Sequence, residues 1–275
     1  MSGLEIRNVW KSYADQVVLE RIALRVAPGE FCTIVGASGC GKSTFLRMLL
    51  GAETPSRGAI LLDGEPLPIE PDPHRGIVFQ RYSVFPHLSA IENVLLGLEL
   101  QAAPLLGRFF GARRRDAAAR ARRMLEAVGL AGDAGKYPAE LSGGMQQRLA
   151  IAQSLIVEPR VLLLDEPFAA LDPGIRADMQ GLVRSLWNER RITVFMVTHD
   201  IEEAFRLGTR VLVFDKPRLD PHAPGAYGAQ ITYDIALDRA DRQARAAIEA
   251  RLNAARPAPT DPPMPAHRQQ TETSS

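Results

Sequence analysis

The sequence has few cysteines, no long hydrophobic run and almost no excess of charge. Two of its 275 residues are cysteines, and 33 lysines and arginines stand against 32 aspartates and glutamates, a net charge of +1. Two cysteines, Cys32 and Cys40, are too few for a disulfide framework and favour a reducing compartment. Without a basic excess, we do not expect binding to nucleic acid through its phosphate charge.

Segments that could enter or cross a membrane are also lacking. Residues 1–10 are polar and charged, so we expect no secretory leader there. The longest apolar stretches, such as residues 161–164, are far shorter than the roughly 20 residues that a membrane-spanning helix needs. We therefore expect any role at a membrane to depend on a partner protein.

What the chain does contain is a globular composition, with 46% hydrophobic and 24% charged residues. Predicted strands alternate with helical patterns, which indicates an α/β fold. The predicted strands cover residues 4–9, 17–26, 31–35, 59–62, 76–80, 161–165, 192–198 and 210–214. We expect one main domain over 4–235, an all-helical insert over about 86–159, a C-terminal helix within 236–255, and a disordered proline-rich tail over 256–275.

Residues 36–44 read GASGCGKST and lie between a predicted buried strand and a predicted helix. This is the Walker A pattern, in which backbone N–H groups and a helix start cradle phosphates while the lysine binds the β- and γ-phosphates. The alternative is a glycine-rich turn with an exposed lysine, and the glycine spacing does not fit a dinucleotide fold. The predicted nucleotide-binding residues are Gly36, Ala37, Ser38, Gly39, Cys40, Gly41, Lys42, Ser43 and Thr44.

Two carboxylates follow the apolar strand predicted at 161–165. Asp165 ends that strand, where a parallel sheet faces the phosphate loop, and it is expected to hold Mg²⁺ together with Ser43. Glu166 is then placed to polarise the attacking water. Alone, the pair would more often mark the start of a solvated loop; combined with the Walker A pattern, it indicates hydrolysis of a nucleoside triphosphate.

The order of these and further motifs resembles that of ATP-binding cassette (ABC) ATPases. Residues 141–148, LSGGMQQR, look like the signature motif of that family, although SGG alone would more often be a helix cap with a flexible hinge. Gln80 matches the Q-loop, Asp172 the D-loop and His199 the switch histidine. Tyr13 matches the aromatic residue that stacks on adenine, whereas nearby Trp10 does not.

The resemblance implies a P-loop NTPase cassette with a RecA-like core, an N-terminal antiparallel β subdomain and an α-helical signature subdomain. It implies ATP and Mg²⁺ as cofactors and a homodimer in which Ser142, Gly143 and Gly144 of one chain close over the ATP of the other. Catalytic roles fall to Lys42, Gln80, Glu166 and His199. Ser43, Gln80 and Asp165 become the metal-binding residues.

Within the family, a lone cassette without membrane spans resembles bacterial importer ATPases, the nitrate/sulfonate/taurine type most closely, so the expected solute is nitrate-, sulfonate- or taurine-like or another small nitrogen compound. This implies integral membrane permease subunits as partners, a periplasmic solute-binding protein acting indirectly, no nucleic acid, and a peripheral location on the cytoplasmic face of the inner membrane. Residues 80–94 would receive the permease, through Tyr82, Phe85, Pro86 and Leu88. Two alternatives stay open, a non-transport ABC ATPase of translation or DNA repair, and a regulatory nucleotide-binding module without turnover.

Overall fold

The computed structural model describes residues 3–70, 72, 74–79, 84–102, 109, 111–218, 220–223 and 225–237. The strands are β1 Leu4–Tyr13, β2 Gln16–Val26, β3 Phe31–Gly36, β4 Arg57–Leu62, β5 Glu65–Pro66, β6 Arg75–Val78, β7 Val161–Asp165, β8 Thr193–Val197, β9 Arg210–Asp215 and β10 Gln230–Ala236. The helices are α1 Lys42–Leu50, α2 Ala90–Ala102, α3 Gly111–Ala127, α4 Gly143–Leu155, α5 Pro173–Arg190 and α6 Ile201–Leu207.

The strands form two sheets. The main sheet has the order β10-β9-β3-β8-β7-β6, parallel throughout except for β10, which runs antiparallel to β9 at one edge. β1, β2, β4 and β5 form a separate antiparallel sheet. The carboxyl ends of β3, β8 and β7 thus lie side by side on the edge where parallel sheets bind their ligands. The predicted α/β fold with an antiparallel β subdomain is confirmed.

The central strands β3, β7 and β8 of the main sheet are buried on both faces, which explains why they are nearly continuous apolar runs. In β7, Val161 and Leu163 join a core with α1 and the antiparallel sheet. The alternate residues Leu162 and Leu164 join a second core with α2, α3, α4 and α5. Because successive side chains of a strand point to opposite faces, a single strand anchors two independent layers.

Helices α2, α3 and α4 pack against one another within the insert predicted at about 86–159. Helix α2 lies close to the end of α4 at Gly97, where an added Cβ atom would be 3.0 Å from the Cγ2 atom of Ile156, the residue after α4. The arginines of α3 at positions 113, 114 and 115 are exposed, as a solvated helix face predicts. The insert is therefore helical, and its buried side chains belong to the core that the sheet shares with α5.

Several boundaries differ from the sequence-based expectations. Helix α4 begins at Gly143 rather than at 145, because Ser142 already caps it. Strand β6 ends at Val78, and the predicted last residue of that strand, Gln80, lies outside the described residues. So do most of the C-terminal helix expected within 236–255 and the whole tail expected at 256–275. Strands β5 and β10 and helix α6 were not predicted.

Candidate functional site

The loop between β3 and α1 has the shape of a phosphate cradle. Gly41 caps α1 in the left-handed region at φ 90°, and an added Cβ atom there would lie 2.8 Å from the Leu19 Cδ2 atom. At Gly36 an added Cβ atom would lie 2.2 Å from the Phe214 carbonyl oxygen. These two positions require glycine, and at Gly39 a Cβ atom would meet nothing within 4 Å. The backbone can therefore curl tightly while its middle faces open space.

The Lys42 side chain lies across this loop and is nearly buried. Its Nζ atom donates hydrogen bonds to the carbonyl oxygens of Gly36, at 2.8 Å, and Ala37, at 2.9 Å. The thiol of the neighbouring Cys40 is buried, and burial raises its pKa. An ammonium group and a helix N-terminus converge on one loop, and both favour an anion. These groups fit a polyphosphate.

Ser43 and Asp165 meet beside the cradle. The Ser43 Oγ atom lies 3.3 Å from the Asp165 Oδ1 atom. Burial raises the pKa of Asp165, and the Ser43 hydroxyl opposes that rise. No group of three or more His, Cys, Asp or Glu side chains that could hold a metal occurs in the described part of the chain. One hydroxyl and one carboxylate fit Mg²⁺, which usually takes few protein ligands and completes its shell with phosphate and water.

Glu166 and His199 face each other at the same sheet edge. The His199 Nδ1 atom lies 3.5 Å from the Glu166 Oε2 atom, and the histidine side chain is 62% exposed. Glu166 adopts φ 47°, a left-handed conformation that costs a non-glycine residue about 1–2 kcal/mol. Its N–H group donates to the Val197 carbonyl oxygen at 3.0 Å, which holds it there. Such strain at a solvent-facing carboxylate is typical of functional sites.

Tyr13 lies beside the cradle at the end of β1. Its ring is 43% exposed, and its hydroxyl group hydrogen-bonds with Glu53. Burial raises the pKa of Tyr13, Glu53 adds to the rise, and a hydrogen bond with Thr44 of the phosphate loop lowers it. Trp10 lies instead among surface arginines, with the Arg57 guanidinium 5.9 Å from its ring centroid. Tyr13 therefore contacts the phosphate loop through Thr44, and its role in stacking on adenine stays a prediction.

The signature residues form the start of α4. The Ser142 Oγ atom accepts a hydrogen bond from the Met145 N–H group at 3.3 Å, and Ser142 and Gly143 are both exposed. Gly144 is buried, and an added Cβ atom there would lie 2.6 Å from the Ile175 Cγ2 atom of α5. Within the described residues, no hydrogen bond or ion pair joins the signature residues 142–144 to the phosphate loop of the same chain.

Three further predicted residues are Asp172, Gln80 and Tyr82. Asp172 is the N-cap of α5, so the D-loop opens the helix that contacts the signature. Gln80 lies outside the described residues, as does Tyr82 of the predicted permease-binding region. Sequence reasoning missed the buried Glu203, which accepts hydrogen bonds just behind His199. The D-x-x-E spacing of Asp200 and Glu203 predicts a helix cap, but not the burial.

A phosphate cradle before a helix, with an acidic strand end beside it, defines a P-loop nucleotide hydrolase. The family model described as ABC transporter matches residues 19–169. The chain therefore belongs to the ABC transporter family and is an ABC ATPase domain. It resembles a dimeric post-hydrolysis structure of the ATP-binding cassette MJ0796 bound to ADP and Pi, with a TM-score of 0.68 and 30% identity over 85% of this chain and 98% of that one.

Two relatives of the chain are import proteins. The chain is 42% identical to the sulfate/thiosulfate import ATP-binding protein CysA of Gloeobacter violaceus over 78% of its own length and 60% of that protein. It is 39% identical to the spermidine/putrescine import ATP-binding protein PotA of Bacillus anthracis over 79% of its own length and 64% of that protein. The chain thus spans about three fifths of these curated relatives. They are of the sulfate and polyamine type rather than the predicted nitrate/sulfonate/taurine type.

Hydropathy gives a separate finding. Among the described residues, none of the helices is long and apolar enough to span a membrane.

Proposed function

We propose that this protein is the ATP-hydrolysing subunit of a bacterial ABC importer, which works as a homodimer enclosing two ATP molecules. The observation that carries the proposal is the separation of the two halves of the site. Ser142 and Gly143 present an exposed helix start, and in the part of the chain that the structure describes no hydrogen bond joins them to the phosphate loop of their own chain. A second copy can supply the missing half to each loop, and the dimeric cassette with ADP and Pi supports this arrangement.

Each residue then has a definite task. Lys42 and the amides of residues 36–44 bind the phosphates, while Ser43, Asp165 and Gln80 would hold Mg²⁺, which when bound neutralises phosphate charge. Glu166 orients the attacking water and accepts its proton. His199 donates a hydrogen bond to the γ-phosphate, and Tyr13 stacks on adenine. Asp172 lies at the contact between the two copies.

Glu166→Gln tests both the hydrolytic role and the dimer. The amide keeps the size of the side chain but cannot accept a proton, so ATP binding persists and hydrolysis stops. Size-exclusion chromatography with ATP and Mg²⁺ is then expected to show a stable dimer, while the exposed control Glu189→Gln behaves as wild type. A variant that stays monomeric at saturating ATP would contradict the sandwich dimer.

An exposed apolar surface at residues 85–88 supports coupling to a permease. Phe85 is exposed and makes an edge-to-face contact with His87, with 6.0 Å between the ring centroids. We place the subunit on the cytoplasmic face of the inner membrane, with a periplasmic solute-binding protein acting through the permease. Affinity purification from membranes is expected to recover an integral permease, whereas recovery of ribosomes or DNA-repair complexes would favour the non-transport alternative.

The transported compound is proposed only as a small solute. The nitrate/sulfonate/taurine class follows from the motif resemblance, while the curated relatives add sulfate and polyamines. Sulfate is an anion and spermidine a cation, yet the two relatives are 42% and 39% identical to this chain. Because relatives with oppositely charged solutes are similarly identical to this chain, we propose that the permease and its binding protein, rather than the cassette, select the solute. Uptake assays with the cognate permease, run with each class of solute, will identify it.

A further inference from the structure

A buried carboxylate lies directly behind the loop that carries His199. Glu203 on α6 is 4% exposed, and both of its carboxylate oxygens accept hydrogen bonds. The Gln180 Nε2 atom donates to Oε1 at 2.6 Å, and the Thr198 hydroxyl donates to Oε2. A buried carboxylate is costly unless such donors surround it, so the site is built around the charge of this side chain.

The bonds continue on both sides of Glu203. The Asp200 N–H group donates to the Thr198 Oγ1 atom, and the Glu203 N–H group donates to the Asp200 Oδ1 atom, each at 3.1 Å. On the far side, Arg206 donates to the Gln180 Oε1 atom. Residues 198 and 200, which flank His199 in the chain, are therefore both tied to Glu203.

His199 itself has little to hold it. Its side chain is mostly exposed, and its described partner is Glu166 at 3.5 Å. Its position consequently follows from the backbone around it. Thr198 is buried, and its N–H group donates to the Ile34 carbonyl oxygen at 3.1 Å. The Thr198 hydroxyl group accepts a hydrogen bond from the Asp200 N–H group and donates to Glu203, so Glu203 holds the polar end of this side chain.

We infer that Glu203 is a positioning residue for ATP hydrolysis, which holds the Thr198–Asp200 loop so that His199 is aimed at the γ-phosphate. The inference rests on the proposed role of His199. Through Gln180 the same carboxylate joins this loop to α5, the helix that begins at the D-loop residue Asp172. Glu203 thereby fixes the Thr198–Asp200 loop relative to the surface near Asp172 at which two copies are proposed to meet.

Glu203 needs both of its accepting oxygens for this network, and a side chain of the same shape with one acceptor does not replace it. In Glu203→Gln, an NH2 group replaces one accepting oxygen, so either Gln180 or Thr198 loses its acceptor. Gln180 cannot reverse its amide to compensate, because Arg206 holds its oxygen. An unpaired buried donor forces the loop to shift, and displacement of a catalytic group by about 1 Å can cost on the order of 100-fold in rate.

The first experiment measures kcat and KM for ATP in the full-length protein. Glu203→Gln is expected to lower kcat about 10- to 100-fold and to change the KM for ATP little, because the phosphate loop is untouched. Thr198→Val is expected to show the same defect, and Thr198→Ser, which keeps the hydroxyl, to recover most of the loss. The exposed control Glu189→Gln keeps wild-type kinetics. An unchanged kcat in Glu203→Gln, with a wild-type melting temperature, would overturn the inference.

A double-mutant cycle separates this inference from the proposed function. If Glu203 acts through His199, Glu203→Gln causes little further loss in a His199→Ala background, whereas independent effects multiply. Unchanged turnover in His199→Ala alone would refute the role proposed for His199 and, with it, the inference. Multiplicative losses would refute the inference alone.

A spectroscopic readout covers the case in which His199→Ala has no measurable turnover. The imidazole Cε1–H signal of His199, assigned by its loss in His199→Gln, is expected to shift or broaden in Glu203→Gln and to stay unchanged in Glu189→Gln. An unmoved His199 signal in a folded Glu203→Gln protein would contradict the inference.

Discussion

The Ser43 hydroxyl oxygen lies 3.3 Å from the Asp165 Oδ1 atom, although the two residues are 122 positions apart in the chain. Strands β3 and β7 bring them together, because both end on the same edge of the sheet with β8 between them. The pair brings hard oxygen ligands next to a phosphate cradle. The burial of Asp165 at this position nevertheless lowers the free energy of unfolding of the nucleotide-free protein at neutral pH.

That cost follows from the direction of its pKa shift. Burial raises the pKa of Asp165, the Ser43 hydroxyl lowers it and the nearby Glu166 raises it again, with a net rise. The ordinary value of 3.8 applies to the unfolded chain, so the folded chain binds the proton more tightly. The free energy of unfolding therefore falls as pH rises from about 3.8 through the raised pKa. Above that window, ionised Asp165 destabilises the nucleotide-free fold.

Asp165→Asn is accordingly expected to raise the melting temperature of the nucleotide-free protein at pH 7, with a smaller difference from wild type at pH 4. Mg²⁺-dependent turnover is expected to fall on the order of 100-fold or more, since the ion that would neutralise phosphate charge in the transition state loses its carboxylate ligand. Thermal melts at both pH values and a phosphate-release assay measure the two effects. The exposed control Asp178→Asn changes neither, and a melting temperature below wild type at pH 7 would contradict the prediction.

Lys42→Ala removes the ammonium group that donates to the Gly36 and Ala37 carbonyl oxygens. Hydrogen bonds from charged groups are worth about 1.5–3 kcal/mol, so ATP affinity is expected to fall about 10- to 100-fold. Titration with a fluorescent ATP analogue measures the loss, and turnover should cease. Lys136→Ala, at a surface ion pair, serves as the control. Normal turnover in Lys42→Ala would mean that residues 36–44 do not bind the phosphates.

Ser142→Arg is expected to stop turnover while each chain still binds ATP, because Ser142 serves the phosphate loop of the partner copy. Equal amounts of Ser142→Arg and Lys42→Ala chains then provide a sharp test. Half of the dimers are mixed, and each mixed dimer has one site with both parts intact. Turnover should recover to about a quarter of wild type if the sites act independently. If Ser142 completed the site of its own chain, mixing would restore nothing.

Asn93 holds the loop that is proposed to meet the permease. Its Nδ2 atom donates to the carbonyl oxygens of Phe85, Leu88 and Ser89, and its Oδ1 atom accepts from the Phe85 N–H group at 2.7 Å. Asn93→Ala removes these four hydrogen bonds and takes from the Phe85 N–H group its side-chain acceptor, so we expect a loss of about 1–3 kcal/mol in the free energy of unfolding. Urea unfolding measures that loss.

The same variant should also weaken binding to permease-containing membranes, because Phe85 is no longer held in place. ATP turnover by the isolated dimer should change far less than membrane binding. Asn188→Ala, an exposed asparagine on α5, provides the matched control. Equal membrane binding by Asn93→Ala and wild type would show that this loop does not form the permease contact.

The sequence alone predicts the parts of the molecule whose chemistry is local. The phosphate loop and the carboxylates after β7 follow from runs of adjacent residues, and their structural setting agrees with those runs. Helix α6 has only seven residues, too few for helical periodicity to show, and β10 contains no fully buried residue to reveal a strand. The hydrogen bonds from Tyr13 to Glu53 and from Gln180 to Glu203 join residues 40 and 23 apart. Such pairs depend on how the layers pack, which no short pattern encodes.

The two-sided burial of β7 also separates two properties that an engineer would want to adjust one at a time. A change at Leu163 alters the layer beneath the helix that opens at the phosphate loop, whereas a change at Leu164 alters the layer shared with the helical insert. We therefore expect substitutions at the odd positions of β7 to change nucleotide affinity. Substitutions at the even positions are expected to change how the helical insert moves with the sheet. A set of variants changed only at odd positions, or only at even positions, should alter one of these two properties and leave the other nearly constant.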